Sequence, residues 1–129
     1  QKCEVNRMII ENTGLDNIVI DQKPLDHLTG KNAFIRAGQW DYDRVTYDYK
    51  VESDEKNVTY YIRLQGRALE GDVDSGDAVI KLLTPFIGKH YYPHGVEYGE
   101  EENFPPELIE KAKTLLTKLA NDLAPHKKQ

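Results

Sequence analysis

Cysteine occurs once in the 129 residues, at Cys3, so no disulfide can close within the chain and no cysteine-rich zinc spacing exists. Near a terminus and without an activating neighbour, Cys3 is expected to be an incidental thiol rather than a nucleophile, in a protein of the reducing cytoplasm. Long apolar runs are missing too. None approaches the ~20 residues of a bilayer span, and no apolar leader with a small-residue cleavage site opens the sequence. Positive charge is not in excess: the formal net charge is -5 and the pI near 5.4, which argues against a large phosphate-binding footprint. Glycine-rich phosphate loops, a GxSxG elbow and a defensible Cys/His pair are also lacking. These absences predict a soluble domain without nucleic acid, membrane or cofactor, and lean away from an enzyme.

What is present is enough for a core. With 39% hydrophobic and 30% charged residues, a chain of this length can bury roughly two-thirds of its unfolded surface. A single domain over residues 1–129 is expected, and no linker or repeat interrupts it. The strongest pattern lies between Arg44 and Leu69. From Arg44 to Val51 the odd positions are apolar or aromatic and the even ones polar, and Val58 to Leu64 repeats that period of two. A hairpin closed by residues 52–57 would set Val51 opposite Val58, Tyr49 opposite Tyr60, Tyr47 opposite Ile62 and Val45 opposite Leu64. In that register Asp48 faces Tyr61, and Arg63 lies opposite Thr46 and diagonal to Asp48.

Around this hairpin the signals are shorter. Met8, Ile9 and Ile10 suggest an edge strand, Ile18 to Ile20 a second brief one, and Phe34 to Gln39 a strand returning beside the hairpin. Pro24, Leu25 and Leu28 predict a short helix that Gly30 stops. Gly66 is a plausible bulge, residues 70–77 a solvated loop, and residues 78–84 a strand ended by Pro85. After Pro105 and Pro106, the spacing of Leu108, Ala112, Leu115, Leu116, Leu119 and Leu123 predicts a long amphipathic helix, with Glu107 in its first turn. Its ~24 Å matches the ~26 Å of an eight-residue strand, so it should lie along the Val45, Tyr47 and Tyr49 face. Pro125 should end it and leave residues 125–129 as a loose tail. The expected fold is α+β, a mainly antiparallel sheet of about four to five strands, with this helix on one face and a short N-terminal helix.

Three candidate sites follow. The opposite sheet face gathers Arg44, Tyr61, Arg63 and Arg67, which suit a self-association interface, or an anionic ligand held by Arg44, Arg63 and Arg67. The stretch from Gly88 to Tyr98 holds His90, His94 and Glu97, the types of a two-histidine, one-carboxylate metal site, although Pro93 and Gly95 oppose the helix that would align them. Trp40, Asp41 and Asp43 break the strand alternation, and their carboxylates suit a turn cap or a hard cation.

Two of these stretches, Arg36 to Lys50 with its Gly38-Gln39-Trp40-Asp41-Tyr42-Asp43 core, and Lys81 to Pro85 followed by Gly88 to Tyr98, resemble the YugN-like family of small bacterial proteins. The likeness extends from about Met8 into the last helix. It implies a cytoplasmic single-domain protein of unassigned function, with no catalytic or cofactor residues to carry over, and residues 1–7 as an extension ahead of the usual start. The leading expectation is a non-enzymatic binding or interaction domain, a homo-oligomer or a binder of a small molecule or protein through the Arg/Tyr face. The alternative is a metal-binding protein or metal-dependent enzyme at His90, His94 and Glu97.

Overall fold

The alternation that begins at Val58 belongs to a 13-residue strand running to Glu70 and holds as far as Ala68; the other strands are ordered around it. A computed structural model describes residues 7–37, 43–54, 58–91 and 104–128. Along the chain these form β1 (Arg7–Ile9), β2 (Val19–Asp21), α1 (Gln22–Lys31), β3 (Ile35–Arg36), β4 (Arg44–Glu52), β5 (Val58–Glu70), β6 (Val79–Leu82), β7 (Phe86–Tyr91) and α2 (Pro106–Leu123). The fold is α+β, and every strand pairing is antiparallel. Across the sheet the order is β1-β7-β5-β4-β3, while β6 follows β7 along the same edge of β5 and β2 lies beyond β6. The seven strands thus fill five positions, because residues 83–85 interrupt what would otherwise be one ribbon. Pro85 has no N–H to give a ladder.

The hairpin register differs from the expected one by two residues. Tyr47 faces Leu64, Tyr49 faces Ile62, Val51 faces Tyr60 and Glu52 faces Thr59. An even shift leaves every side chain on its face, so the apolar pattern cannot distinguish the two alignments. The polar face can. In the observed register Asp48 lies opposite Arg63 and Thr46 opposite Gln65, and both pairs bond.

Gly66 is not the bulge. The register slips between Ala68 and Glu70, leaving Leu69 as the extra residue. Gly66 instead admits β6, since a Cβ there would collide with Ile80 Cγ2 and crowd Leu82 Cδ2.

Both helices cover one face. From α2, Leu108, Ala112, Leu116, Leu119 and Leu123 are buried in a cluster with Val45, Tyr47, Ile62, Leu64, Ile80, Leu82 and Ile87. Phe104, just before the helix, tilts onto Tyr60 at 5.8 Å, and Lys111 Nζ lies 5.6 Å from the Tyr49 ring centroid. Pro106 and Glu107 occupy the first turn, as a fixed φ and the macrodipole favour. The helix α1 runs through Gly30 to Lys31 and is stopped by Ala33, whose φ of 71° is left-handed. Ala33 N–H donates to Gly30 O at 3.0 Å and Phe34 N–H to Thr29 O at 2.9 Å, the two bonds of a Schellman turn. An interhelix tie follows: Asn32 Nδ2 donates to Asp122 Oδ2 at 3.0 Å, and Lys118 Nζ to Asn32 Oδ1 at 3.0 Å. The Asn32 amide, then Lys118, hold the Asp122 carboxyl below the usual carboxylate range.

The segment expected as a loose tail makes specific contacts. After a single 3-10 turn, Lys127 bridges Ile20 in antiparallel fashion and Lys128 N–H donates to Val19 O at 2.7 Å. Lys128 Nζ lies 3.3 Å from Asp21 Oδ1.

Candidate functional site

Among the described residues no helix packs on the second sheet face. Register places on it a row that crosses all five strand positions: Ile9, Phe86, Arg63, Asp48 and Ile35. At its centre Arg63 donates from Nε to Asp48 Oδ1 and from a terminal nitrogen to Asp48 Oδ2, each at 2.7 Å. This forked pair holds the Arg63 proton more firmly than usual, against the opposing effect of partial burial. Arg7 lies over the Phe86 ring at 4.7 Å, and His90 meets Tyr61 edge-on at 6.5 Å.

The ends of the row are apolar and open. Ile9 is 46% exposed and Ile35 72%, and Leu69 in the bulge is 50% exposed. These are the large hydrophobic side chains that the described residues leave in water. Ile9 and Ile35 come from the two outermost positions of the sheet, so one row carries apolar, charged and apolar surface in sequence.

The other polar constellation is on the covered face. Tyr47 Oη–H donates to Asp26 Oδ1 at 2.5 Å, Gln22 Nε2 reaches Asp26 Oδ2 at 3.5 Å, and an Arg36 terminal nitrogen lies 3.5 Å from the same oxygen. Burial, followed by the hydrogen bond to Asp26, pushes the Tyr47 phenol well above its ordinary range. Held in its neutral form, Tyr47 ties β4 to α1 and is a poor proton carrier near neutral pH.

The expected site residues separate accordingly. Arg44, Tyr61, Arg63 and Arg67 share the uncovered face, with Arg44 directly opposite Arg67 and Tyr61 opposite Lys50. Arg63 is taken by Asp48, which removes it from the expected trio of anion donors. Asp43 is exposed, and its carbonyl accepts from Ala68 N–H at 2.8 Å. Trp40 and Asp41 lie outside the described residues, as do His94 and Glu97. His90 is exposed at the end of β7, and among the described residues no three His, Cys, Asp or Glu side chains gather as a metal site would require. Two features escaped the sequence reading. The sequence pattern marks Ile9 and Ile35 only as strand residues, and their exposure follows once each edge strand is set in register. Lys81, within an apolar run, joins the basic end of this face by strand parity.

A model of the YugN-like family matches residues 11–123. The chain belongs to the YugN-like family. The uncharacterized protein YlbA of Bacillus subtilis (strain 168) is 53% identical over 111 residues, covering 86% of this chain and 91% of YlbA. Uncharacterized protein YugN of the same organism is 27% identical over 64 residues, half of this chain and 46% of its own length. The crystal structure of the uncharacterized conserved protein YugN from Geobacillus kaustophilus HTA426 superposes with a TM-score of 0.81 at 47% identity, over 92% of this chain and 96% of that one. These YugN-like relatives carry no named activity to transfer, so function must be argued from the faces of the sheet. No helix among the described residues is long and apolar enough to cross a membrane.

Proposed function

We propose that this YugN-like protein is a non-enzymatic interaction domain that associates with a second copy of itself through the uncovered sheet face. The supporting observation is that Ile9 and Ile35, left in water, terminate one cross-strand row on that face with Phe86, Arg63 and Asp48 between them. The two isoleucines stand roughly 19 Å apart at the backbone, so it is the whole row, apolar ends and charged centre together, that makes the contact surface, and not a contiguous apolar patch. Arginine and aromatic residues are also favoured at interface cores. Five strand positions at ~4.8 Å spacing, over ~22 Å of strand length, offer about 500 Å² per copy and about 1,000 Å² for a pair, the lower bound of a specific interface. Sheets packed face to face through such surfaces align within about 30°.

Light scattering after size exclusion, across a wide range of concentrations, tests this reading. The mass is expected to rise toward that of a dimer, and Ile35→Glu is expected to hold the protein monomeric with the melting temperature of the dilute monomer unchanged. A wild-type mass that stays monomeric throughout, or an association untouched by both Ile35→Glu and Ile9→Glu, would overturn it.

A further inference from the structure

We infer that the upper end of the uncovered face is a binding site for a small diphosphate-bearing ligand, formed by Arg44, Arg67 and Lys81. In the sheet register Arg44 of β4 lies directly opposite Arg67 of β5, and Arg67 directly opposite Lys81 of β6. Three cations therefore stand side by side in one row across three strands. Like charges opposite one another in a sheet repel and destabilise it, so such a row makes physical sense as a receptor for negative charge.

The neighbouring cations are already neutralised. Arg63 is forked onto Asp48, Lys50 Nζ lies 3.6 Å from Glu52 Oε2, and Lys128 holds Asp21. Arg44, Arg67 and Lys81 make no ion pair among the described residues, even though the chain as a whole carries five excess negative charges. The carboxylates nearest in register are Glu70 and Asp21, both opposite Val79; Asp21 is held by Lys128, and neither pairs with any of the three. On the other side of the row Gln65 donates to Thr46 Oγ1 at 3.1 Å, Thr46 itself being buried, so the next row brings no charge to the site.

Adjacent strands are ~4.8 Å apart, so the outer two cations are separated by roughly 10 Å at the backbone. One phosphate can bridge two neighbours, whereas two linked phosphates can engage all three. Guanidinium forks suit phosphate oxygens, and a lysine adds a point charge. Three cations are too few for the extended backbone of a nucleic acid, which the acidic net charge also disfavours.

Titration calorimetry with inorganic pyrophosphate at fixed ionic strength, on protein dilute enough to exclude association between copies, tests the site separately from the dimer. Saturable binding is expected, weakened about tenfold or more by Arg67→Gln and by Lys81→Gln, with Lys50→Gln unchanged. Inorganic phosphate should bind more weakly than pyrophosphate. No saturable binding, equal loss in Lys50→Gln, or equal affinity for phosphate and pyrophosphate would each overturn the assignment. The exposed Arg67 makes no bond that the fold needs, so the melting temperature of Arg67→Gln without anion should match wild type.

Discussion

The two faces of this sheet are built from alternate residues of the same strands, yet they are held by different forces. On the covered face Tyr47, Ile62, Leu64 and Ile87 are sealed under Leu116 and Leu119, and burial of apolar surface dominates. On the uncovered face the equivalent positions carry the Arg63–Asp48 fork, an edge-on Tyr61 and His90, and isoleucines in contact with water. One face stores stability, and the other spends little of it and keeps its chemistry available. Where a residue matters to folding should therefore depend on the parity of its position more than on its type.

The largest break in that contrast is expected from Leu116→Ala, which opens a cavity under the covered face and should cost about 2–5 kcal/mol in urea unfolding. On protein dilute enough to be monomeric, Ile35→Ala, an apolar truncation in water, should stay within about 0.5 kcal/mol. Equal costs would mean that the second face is packed after all. Next comes Arg63→Ala. It strands the largely buried Asp48 carboxylate, and a loss of about 1–3 kcal/mol is expected, reduced because Arg63 is itself partly exposed. That would make the fork a part of the uncovered face on which the fold depends. A smaller loss than either Leu116→Ala or Arg63→Ala, about 1 kcal/mol at neutral pH, is expected from Tyr47→Phe through the lost bond to Asp26.

Tyr47→Phe also carries a pH signature. The folded protein keeps the Tyr47 proton when the unfolded chain releases it, so near and above the ordinary phenol range of about 10 the native state binds more protons. Stability then falls as pH rises through that window, and the Tyr47→Phe variant should lose this part of the slope. Parallel pH profiles for wild type and variant, obtained by denaturant unfolding, would remove the tether from the account.

How much of this was legible follows from the same parity. The alternation in Arg44–Val51 and Val58–Leu64 was sufficient to sort residues to faces, and the leucine spacing of α2 was sufficient to cover one of them. It did not choose between registers two residues apart, because apolar pairs are nearly interchangeable; that choice rests on Asp48 meeting Arg63. The stop of α1 was misplaced at Gly30, since Ala33 adopts a left-handed backbone that glycine usually supplies. Of the candidate residues, Arg44, Tyr61, Arg63 and Arg67 were placed together by counting alone. Lys81 and the exposed Ile9 and Ile35 required knowledge of which strands lie side by side, and that is set by pairings far apart in sequence.

The contact between Ile20 and Lys127 has a consequence for the time course of synthesis. The outer edge of β2 offers unpaired backbone groups, and the partner that covers them is made more than a hundred residues later. While the chain is still emerging, that edge is open to any strand nearby, and pairing with the wrong chain is the hazard such edges carry. At only three residues β2 gives an intruder little to grip, so its brevity protects the nascent chain until the last turn arrives.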